Sequence, residues 1–524
     1  MIQTSRPVLR LLCVALLAAV GLTAQSPARR TPVCVVFVVD GLRPDSINPE
    51  DTPTIARLRA AGVEYLNSHS VFPTVTRVNT ASLVTGAYPD AAGIMGNSMF
   101  VAAVNARAPF NTSDHRPLLK LEEATGRSVT APTLGEVLQA HGRRLVTLSS
   151  GSTGNGFLLN PQARHGAGVA INGMFERGVT AAYPQENSDA ILQRFGPPPD
   201  GDNAVLARML WTDTVLRDYV LPDLKPDVVI DWEEGVDASQ HTYGVGSPQA
   251  KEGMRTVDAS IGRTLATFDA LAQQDRPNVF VISDHGFTHH APPVNVTQAL
   301  VDADLKAARD STDVIVASDG EALLVYVQDH AADRIATLAR FFQQQPWTDV
   351  IFTAPAPGTG TNGRVRGTLS LDLIHAAHPT RAADIYVSMA WNDDPNEFGA
   401  RGTQTVNAGA GANGHGGLGP WTVHNTFIAS GPDFKRQTKM SAPVAIPDVA
   451  PTILAILGIQ DSGGVGSGRS AGRVLREMLK DGPADAQVKT STRVVSTSSG
   501  PYRASVQISS AAGHDYVDKG WRSR

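Results

Sequence analysis

Four short apolar runs constrain this chain more than any other feature. Val33–Val39 is almost wholly β-branched and ends in Asp40-Gly41. Val228–Trp232 follows Pro226-Asp227, Asn278–Ser283 ends in Asp284-His285-Gly286, and Asn425–Ser430 is the fourth. Short runs without polar alternation predict strands buried on both faces, as in a parallel sheet covered by helices. Helix candidates lie between them at Pro53–Ala61, Thr133–His141 and Gln249–Ala272. The predicted fold is therefore α/β, with a mostly parallel central sheet flanked by helices. Ligands of such sheets bind at the carboxyl ends of the strands, where Asp40 and Asp284 sit.

The chain has 524 residues, enough for a large domain with an insertion. Residues 25–290 and 407–482 are expected to form the core. Residues 291–406 are expected to form an inserted α+β cap, with strands Asp313–Ala317, Ala322–Val327 and Ile385–Met389 around one helix, Ala331–Gln345. Ala108–Arg127 and Ser149–Gly156 read as long loops on the site side. Residues 483–524 turn rich in Ser, Thr and Val and predict a terminal β-hairpin, Val494–Ser496 with Ala504–Ser509. A net charge of −5 without a basic stripe argues against duplex nucleic acid as a partner. Oligomeric state is not readable.

The N-terminus predicts export. Arg6 and Arg10 precede the apolar run Leu11–Val20, which is too short to span a bilayer, and small residues follow at Thr23-Ala24. Residues 1–24 are expected to be a signal peptide, an uncleaved anchor being the competing reading. The mature chain then has no membrane span and a periplasmic or secreted location. It retains one cysteine, Cys34, so no intramolecular disulfide supports the fold.

The chemistry concentrates in five stretches: Asp40; Phe72-Pro73-Thr74-Val75-Thr76-Arg77-Val78-Asn79; Asp237-Ala238-Ser239-Gln240-His241; Ser283-Asp284-His285-Gly286; and Asn413-Gly414-His415-Gly416. Carboxylates and imidazoles are ligands that zinc accepts. Asp237 and His241 are four apart, so one helical turn brings both to one ion. Asp284 and His285 are adjacent, and Gly286 is expected to permit the bend that lets both face inward. Taken singly, a strand-end Asp is as well explained by a turn and a lone His by a loop. The five together, each at a strand end or in a loop, are not.

With Ser82-Leu83-Val84-Thr85-Gly86, Tyr88-Pro89 and Ile446-Pro447-Asp448-Val449-Ala450-Pro451-Thr452, these stretches resemble the alkaline phosphatase superfamily and, within it, the type I phosphodiesterase/nucleotide pyrophosphatase family. The resemblance covers roughly residues 30–290 and 405–480 and implies an alkaline-phosphatase-like fold with two divalent ions, expected to be Zn2+. One would be held by Asp237, His241 and His415, the other by Asp40, Asp284, His285 and Thr76. Thr76 would be the nucleophile of a small-molecule phosphoester hydrolase, forming a covalent phospho-threonine, and Asn79 would hold a phosphoryl oxygen. Metal coordination is what makes a threonine hydroxyl nucleophilic at neutral pH.

The chain departs from the family beside Thr76. Arg77-Val78 and Thr80 stand where many members carry Phe-Pro and His, which leaves nucleotide preference open. Arg77 is a candidate substrate contact that would favour monoesters; a helix residue facing away is the alternative. Hydrolysis of phosphodiesters or nucleotide pyrophosphates is the first expectation. A phosphomonoesterase or phosphonate hydrolase is the second. A sulfatase lacks its Cys/Ser-x-Pro-x-Arg context, and a non-enzymatic binding protein on this scaffold is the third. Glu233, Glu234, His289, His290 and His424 remain between supporting roles and plain surface or loop residues.

Overall fold

Cys34–Val39 lies at the middle of a nine-stranded sheet and buries every side chain. Cys34, Val36 and Val38 pack into one hydrophobic layer, and Val35, Phe37 and Val39 into the opposite one. Both faces are covered, which is why the sequence shows no polar alternation. The structure, a computed structural model, describes Met1 and residues 33–173, 181–201, 204–271, 276–460, 465–466 and 471–523. Beyond Met1, the expected signal segment 1–24 lies outside the described residues.

From edge to edge the sheet runs Thr438–Met440, Val63–Tyr65, Phe427–Ser430, Asn278–Ile282, Cys34–Val39, Val228–Glu233, Leu145–Ser149, Val169–Asn172 and Ala182–Tyr183. Cys34–Val39 is parallel to both neighbours, and the sheet is mostly parallel. The fourth apolar run is an exception. Phe427–Ser430 is antiparallel to both Val63–Tyr65 and Asn278–Ile282. Helices Pro53–Ala61, Leu134–Ala140 and Pro248–Leu271 flank the sheet, and Thr133 caps the second through a reciprocal bond pattern with Glu136.

The segment 291–406 builds a five-stranded sheet ordered Val314–Asp319, Ala322–Val327, Ile385–Met389, Thr348–Thr353 and Leu369–Ser370, with helix Ala332–Gln344 against it. Its apolar face shares one hydrophobic layer with Phe72, Ile94 and Met95, and with Tyr502, Ala504, Val506 and Ile508 of the C-terminal sheet. A four-stranded sheet joins Thr288–His290 and Asn413–Gly414 to Trp391–Pro395 and Arg401–Gln404.

Three expectations about loops and ends change. The tail is a three-stranded sheet, Thr490–Ser499, Tyr502–Ala511 and His514–Arg522, rather than a hairpin. The stretch Ala108–Arg127 contains a helix, His115–Thr125, whose first turn is capped by the Asp114 side chain. Ser149–Gly156 is the end of a strand, a short turn and the start of helix Thr153–Leu159. No helix among the described residues is long and apolar enough to cross a membrane.

Candidate functional site

Sheet register assembles the first part of the site. Val38 lies level with Ile282 and Val39 level with Glu233. Asp40, Asp284 and Glu234 therefore emerge at one height from three adjacent parallel strands. Gly41 takes a left-handed φ of +70°, and its N–H donates to Asp284 Oδ1 at 3.2 Å. Trp232 Nε1 donates to Asp40 Oδ2 at 2.8 Å. One oxygen of each carboxylate is thus anchored. The others, Asp40 Oδ1 and Asp284 Oδ2, are buried without a hydrogen-bond partner and lie 3.4 and 3.1 Å from His285 Nε2.

Gly286 matters here for space rather than for the expected turn. Its φ is not left-handed, but a Cβ would lie 2.0 Å from the carbonyl oxygen of Trp421. That close approach holds the loop, and His285 Nδ1 donates to Gly286 O at 2.9 Å. The second part comes from helix Gly235–Tyr243, which carries Asp237 and His241 one turn apart, and from the glycine loop around His415. Asp237 Oδ1, another partnerless buried oxygen, lies 3.5 Å from His241 Nε2 and 3.6 Å from His415 Nε2. His285 and His415 stack face to face, ring centroids 3.5 Å apart.

All three imidazoles share one orientation. His241 Nδ1 meets Asn413 O at 3.0 Å and His415 Nδ1 meets Thr74 O at 2.9 Å, as His285 meets Gly286 O. A carbonyl accepts only, so each ring carries its proton on Nδ1 and turns Nε2 inward, as metal-bound histidines do. Three orphaned carboxylate oxygens and three inward Nε2 atoms fit divalent cations of the zinc type. Groups that converge within ligand distance include Asp40 with Asp284 and His285, Asp237 with His285 and His415, and Asp40 with Glu234 and Asp237. Glu234 is thus drawn into the cluster, whereas His241 is its exposed member.

The electrostatics express the same crowding. Burial, reinforced by Asp284 and Asp237, raises the Asp40 carboxyl well above the usual range. Burial and Asp237 push Glu234 up to about 7. Burial opposes the charged form of His285, but the Asp284 carboxylate beside it prevails and its pKa is raised. Burial, with His285 and His241, holds His415 well below the ordinary imidazole value. Packed carboxylates that resist ionising together are what a bound cation relieves.

Thr76 begins helix Thr76–Thr85, and its Oγ lies 3.4 Å from His285 Nε2. Asn79 does not serve the predicted role. Its Oδ1 accepts from Val71 N at 2.8 Å, its Nδ2 donates to Val71 O and Val75 O at 3.2 and 3.0 Å, and it has no exposed surface. It ties the loop before the helix to the first turn. Sequence reasoning missed Asn97, whose Oδ1 accepts from Arg77 N at 3.0 Å, beside Thr76. Among the described residues its amide nitrogen donates to no protein group. A Gly-Asn pair shortly after the Tyr88-Pro89 motif was the available signal. Arg77 does not face away. Its charge acts on Glu234, Asp319 and His415, and its Nε is buried without a partner. Asp319, from the inserted sheet, accepts from Ser98 N at 2.8 Å and so fixes the Asn97 loop.

Two further readings change. His290 is buried, with Nδ1 on Gly411 O and Nε2 3.3 Å from Glu321, rather than a solvated hinge. His424 packs against the His69 ring, centroids 5.0 Å apart, rather than standing as a plain surface or loop residue. Thr80 donates to Thr76 O and Asn155 Oδ1 at 2.8 and 2.6 Å.

The sequence model of the family described as "Type I phosphodiesterase / nucleotide pyrophosphatase" matches residues 34–389, which contain every residue of this site except His415. The chain is similar to ectonucleotide pyrophosphatase/phosphodiesterase family member 1 of Homo sapiens, 26% identical over 266 residues, 50% of this chain and 24% of that protein. It is similar to bis(5'-adenosyl)-triphosphatase ENPP4 of Pongo abelii, 24% identical over 281 residues, 51% of this chain and 50% of that protein. A venom phosphodiesterase of Naja atra is 23% identical over 255 residues, 48% of this chain and 26% of that protein. The matches thus span from about a quarter to a half of these relatives' own lengths.

Proposed function

The chain belongs to the type I phosphodiesterase/nucleotide pyrophosphatase family, and from that premise we propose that it is an exported, two-metal phosphoester hydrolase acting through Thr76. The observation that carries the proposal is the position of Thr76 Oγ. It sits at a helix start, against an imidazole nitrogen flanked by carboxylate oxygens that nothing else satisfies. Asp40, Asp284 and His285, with Thr76, would hold one cation; Asp237, His241 and His415 would hold the other; zinc suits the mixed oxygen and nitrogen donors. When bound, such ions lower the pKa of the nucleophile and neutralise charge on the attacking and leaving oxygens.

Thr76 Oγ attacks phosphorus as its proton passes to solvent, the bond to the leaving oxygen breaks with its electron pair and that oxygen takes up a proton from solvent, and a phospho-threonine forms. Water then attacks that phosphorus and returns the Thr76 hydroxyl. The start of the helix offers free N–H groups and the positive end of the helix dipole to the phosphoryl oxygens. Asn97, in place of Asn79, donates to one of them.

Phosphodiesters and nucleotide pyrophosphates are the proposed substrates, in line with the names of the relatives. Arg77 favours a second reading, a phosphomonoesterase, because a guanidinium beside Thr76, its Nε without a partner among the described residues, suits a doubly charged phosphate. Rates on bis-nitrophenyl phosphate and nitrophenyl phosphate separate the two. Faster monoester turnover would sink the diesterase reading. Thr76→Ala should abolish both rates and the acid-stable phosphate label trapped on the protein. Export to the periplasm or out of the cell is part of the proposal, supported by the order of basic, apolar and small residues over positions 6–24.

A further inference from the structure

A second set of imidazoles and a carboxylate converges away from the cleft cluster. His69 ends the short strand Ser68–His69, His424 follows the turn of helix Pro420–Val423, and Asp518 lies on the last strand, His514–Arg522. One ligand atom from each lies within 4.8 Å of the other two. His69 and Asp518 are buried, 1% and 3% exposed, and His424 is largely covered.

Each group has its outer side tied down. His69 Nδ1 meets Val444 O at 2.8 Å and His424 Nδ1 meets Ser68 O at 3.2 Å. Each ring therefore carries a proton on Nδ1, as the three imidazoles of the first cluster do, and His69 Nε2 donates to the Asp518 carboxylate, so an ion bound here displaces that proton. Asp518 Oδ2 accepts from Ser509 Oγ at 2.8 Å and from Gln507 Nε2 at 3.1 Å, which leaves Oδ1 for the interior, 2.8 Å from His69 Nε2. Tyr516 stacks on the His69 ring at 5.7 Å and holds its plane. The hydrogen bond between His69 and Asp518 accounts for two of these groups. It gives no part to His424, whose Nε2 makes no hydrogen bond among the described residues.

We propose that His69 Nε2, His424 Nε2 and Asp518 Oδ1 form a third divalent-metal site, of the zinc class, that fastens the C-terminal sheet to the core. Ligands about 2.0–2.1 Å from a tetrahedral zinc lie roughly 3.3 Å apart, so modest side-chain shifts admit the ion, and water takes the fourth position. The three ligands come from segments near residues 69, 424 and 518, so the ion links parts of the chain that are distant in sequence.

Metal quantitation on the full-length protein saturated with Zn2+ tests this. Wild type should carry three equivalents and Asp518→Asn two, with aryl phosphate hydrolysis within about twofold and a lower melting temperature. Equal metal content in wild type and Asp518→Asn would overturn the proposal. Should Asp518→Asn fail to fold, a chain stripped of cleft ligands by Asp237→Ala and Asp284→Ala supplies the second measurement. It should bind one equivalent of Co2+ with tetrahedral visible absorption, lost on adding His424→Gln; no such band overturns the site. One equivalent in wild type and none in Asp518→Asn would uphold this site while removing the two-metal reading of the cleft.

Discussion

The two halves of the cleft are built differently. Asp40, Asp284 and His285 are at most 1% exposed and stand on the ends of paired parallel strands, so the register that makes the sheet also sets their spacing. Asp237, His241 and His415 come from a helix and a glycine loop, and the His241 side chain is 40% exposed. A position fixed by a buried sheet cannot adjust without disturbing the core. An exposed donor such as His241 can be replaced by water or another donor. The strand-end half should therefore be unforgiving and the helix half tolerant, although both carry the same ligand types.

Removing one ligand from each half gives the largest effects and the most direct way to break this contrast. Asp284→Ala should lower kcat on the order of 10³-fold or more, since it removes a group that acts only as part of a set, and added zinc should not restore it. His241→Ala should weaken metal affinity by about 10–100-fold and recover much of its rate in excess Zn2+. Equal, unrescuable losses in both variants would show that exposure does not mark tolerance.

The same division runs beside Thr76. Asn79 is fully buried and Asn97 only half-buried. Asn97→Ala should cost about 10²–10³-fold in kcat, the usual loss for one donor to a charged transition state, with an unchanged melting temperature. Asn79→Ala should instead destabilise the fold by about 1–3 kcal/mol, because Val71 N–H and two carbonyls lose their partner. A rate loss in Asn79→Ala that exceeds the one in Asn97→Ala, with the melting temperature unchanged, would reverse the assignment.

The strand-end half was legible in the sequence because a strand buried on both faces is an unbroken apolar run, and its terminal polar residue stands out. The strand pattern put Asp40 and Asp284 at strand ends, and their grouping with the other stretches set them apart from ordinary turn residues. Asn79 misled because i+3 spacing puts it near Thr76 on the helix, while burial turned its amide to Val71 and Val75. Asn97 is placed by tertiary contacts with Arg77 and Asp319, which no local pattern encodes. The strand His514–Arg522 was missed because its inward residues Tyr516, Asp518 and Gly520 are not a hydrophobic row, and the helix His115–Thr125 because Pro117 lies in its first turn.

A third set of acids, on the strand that leads into the helix half, gives the smallest effect and separates cleft from core. Asp231 and Glu233 are buried, and no imidazole is grouped with them. Burial and Asp213 push Asp231 up to about 8, and burial with Asp231 raises Glu233. The folded chain thus keeps protons that the unfolded chain gives up near pH 4. Stability from Asp231 is full below that value and is lost as pH rises to about 8. Chelated protein should therefore melt at a lower temperature at pH 8 than at pH 5. Asp231→Asn, which has no proton to lose, should flatten that slope and stabilise the protein at pH 8 by about 2 kcal/mol. Zinc should lift the part of the slope that belongs to Asp40 and Glu234 and leave the part that belongs to Asp231. Melting curves across pH, with and without zinc, for wild type and Asp231→Asn resolve the two parts. If zinc alone removed the whole slope, the acids beneath the cleft would be titrating as part of the metal site, and the line between the tolerant half and the core would move inward.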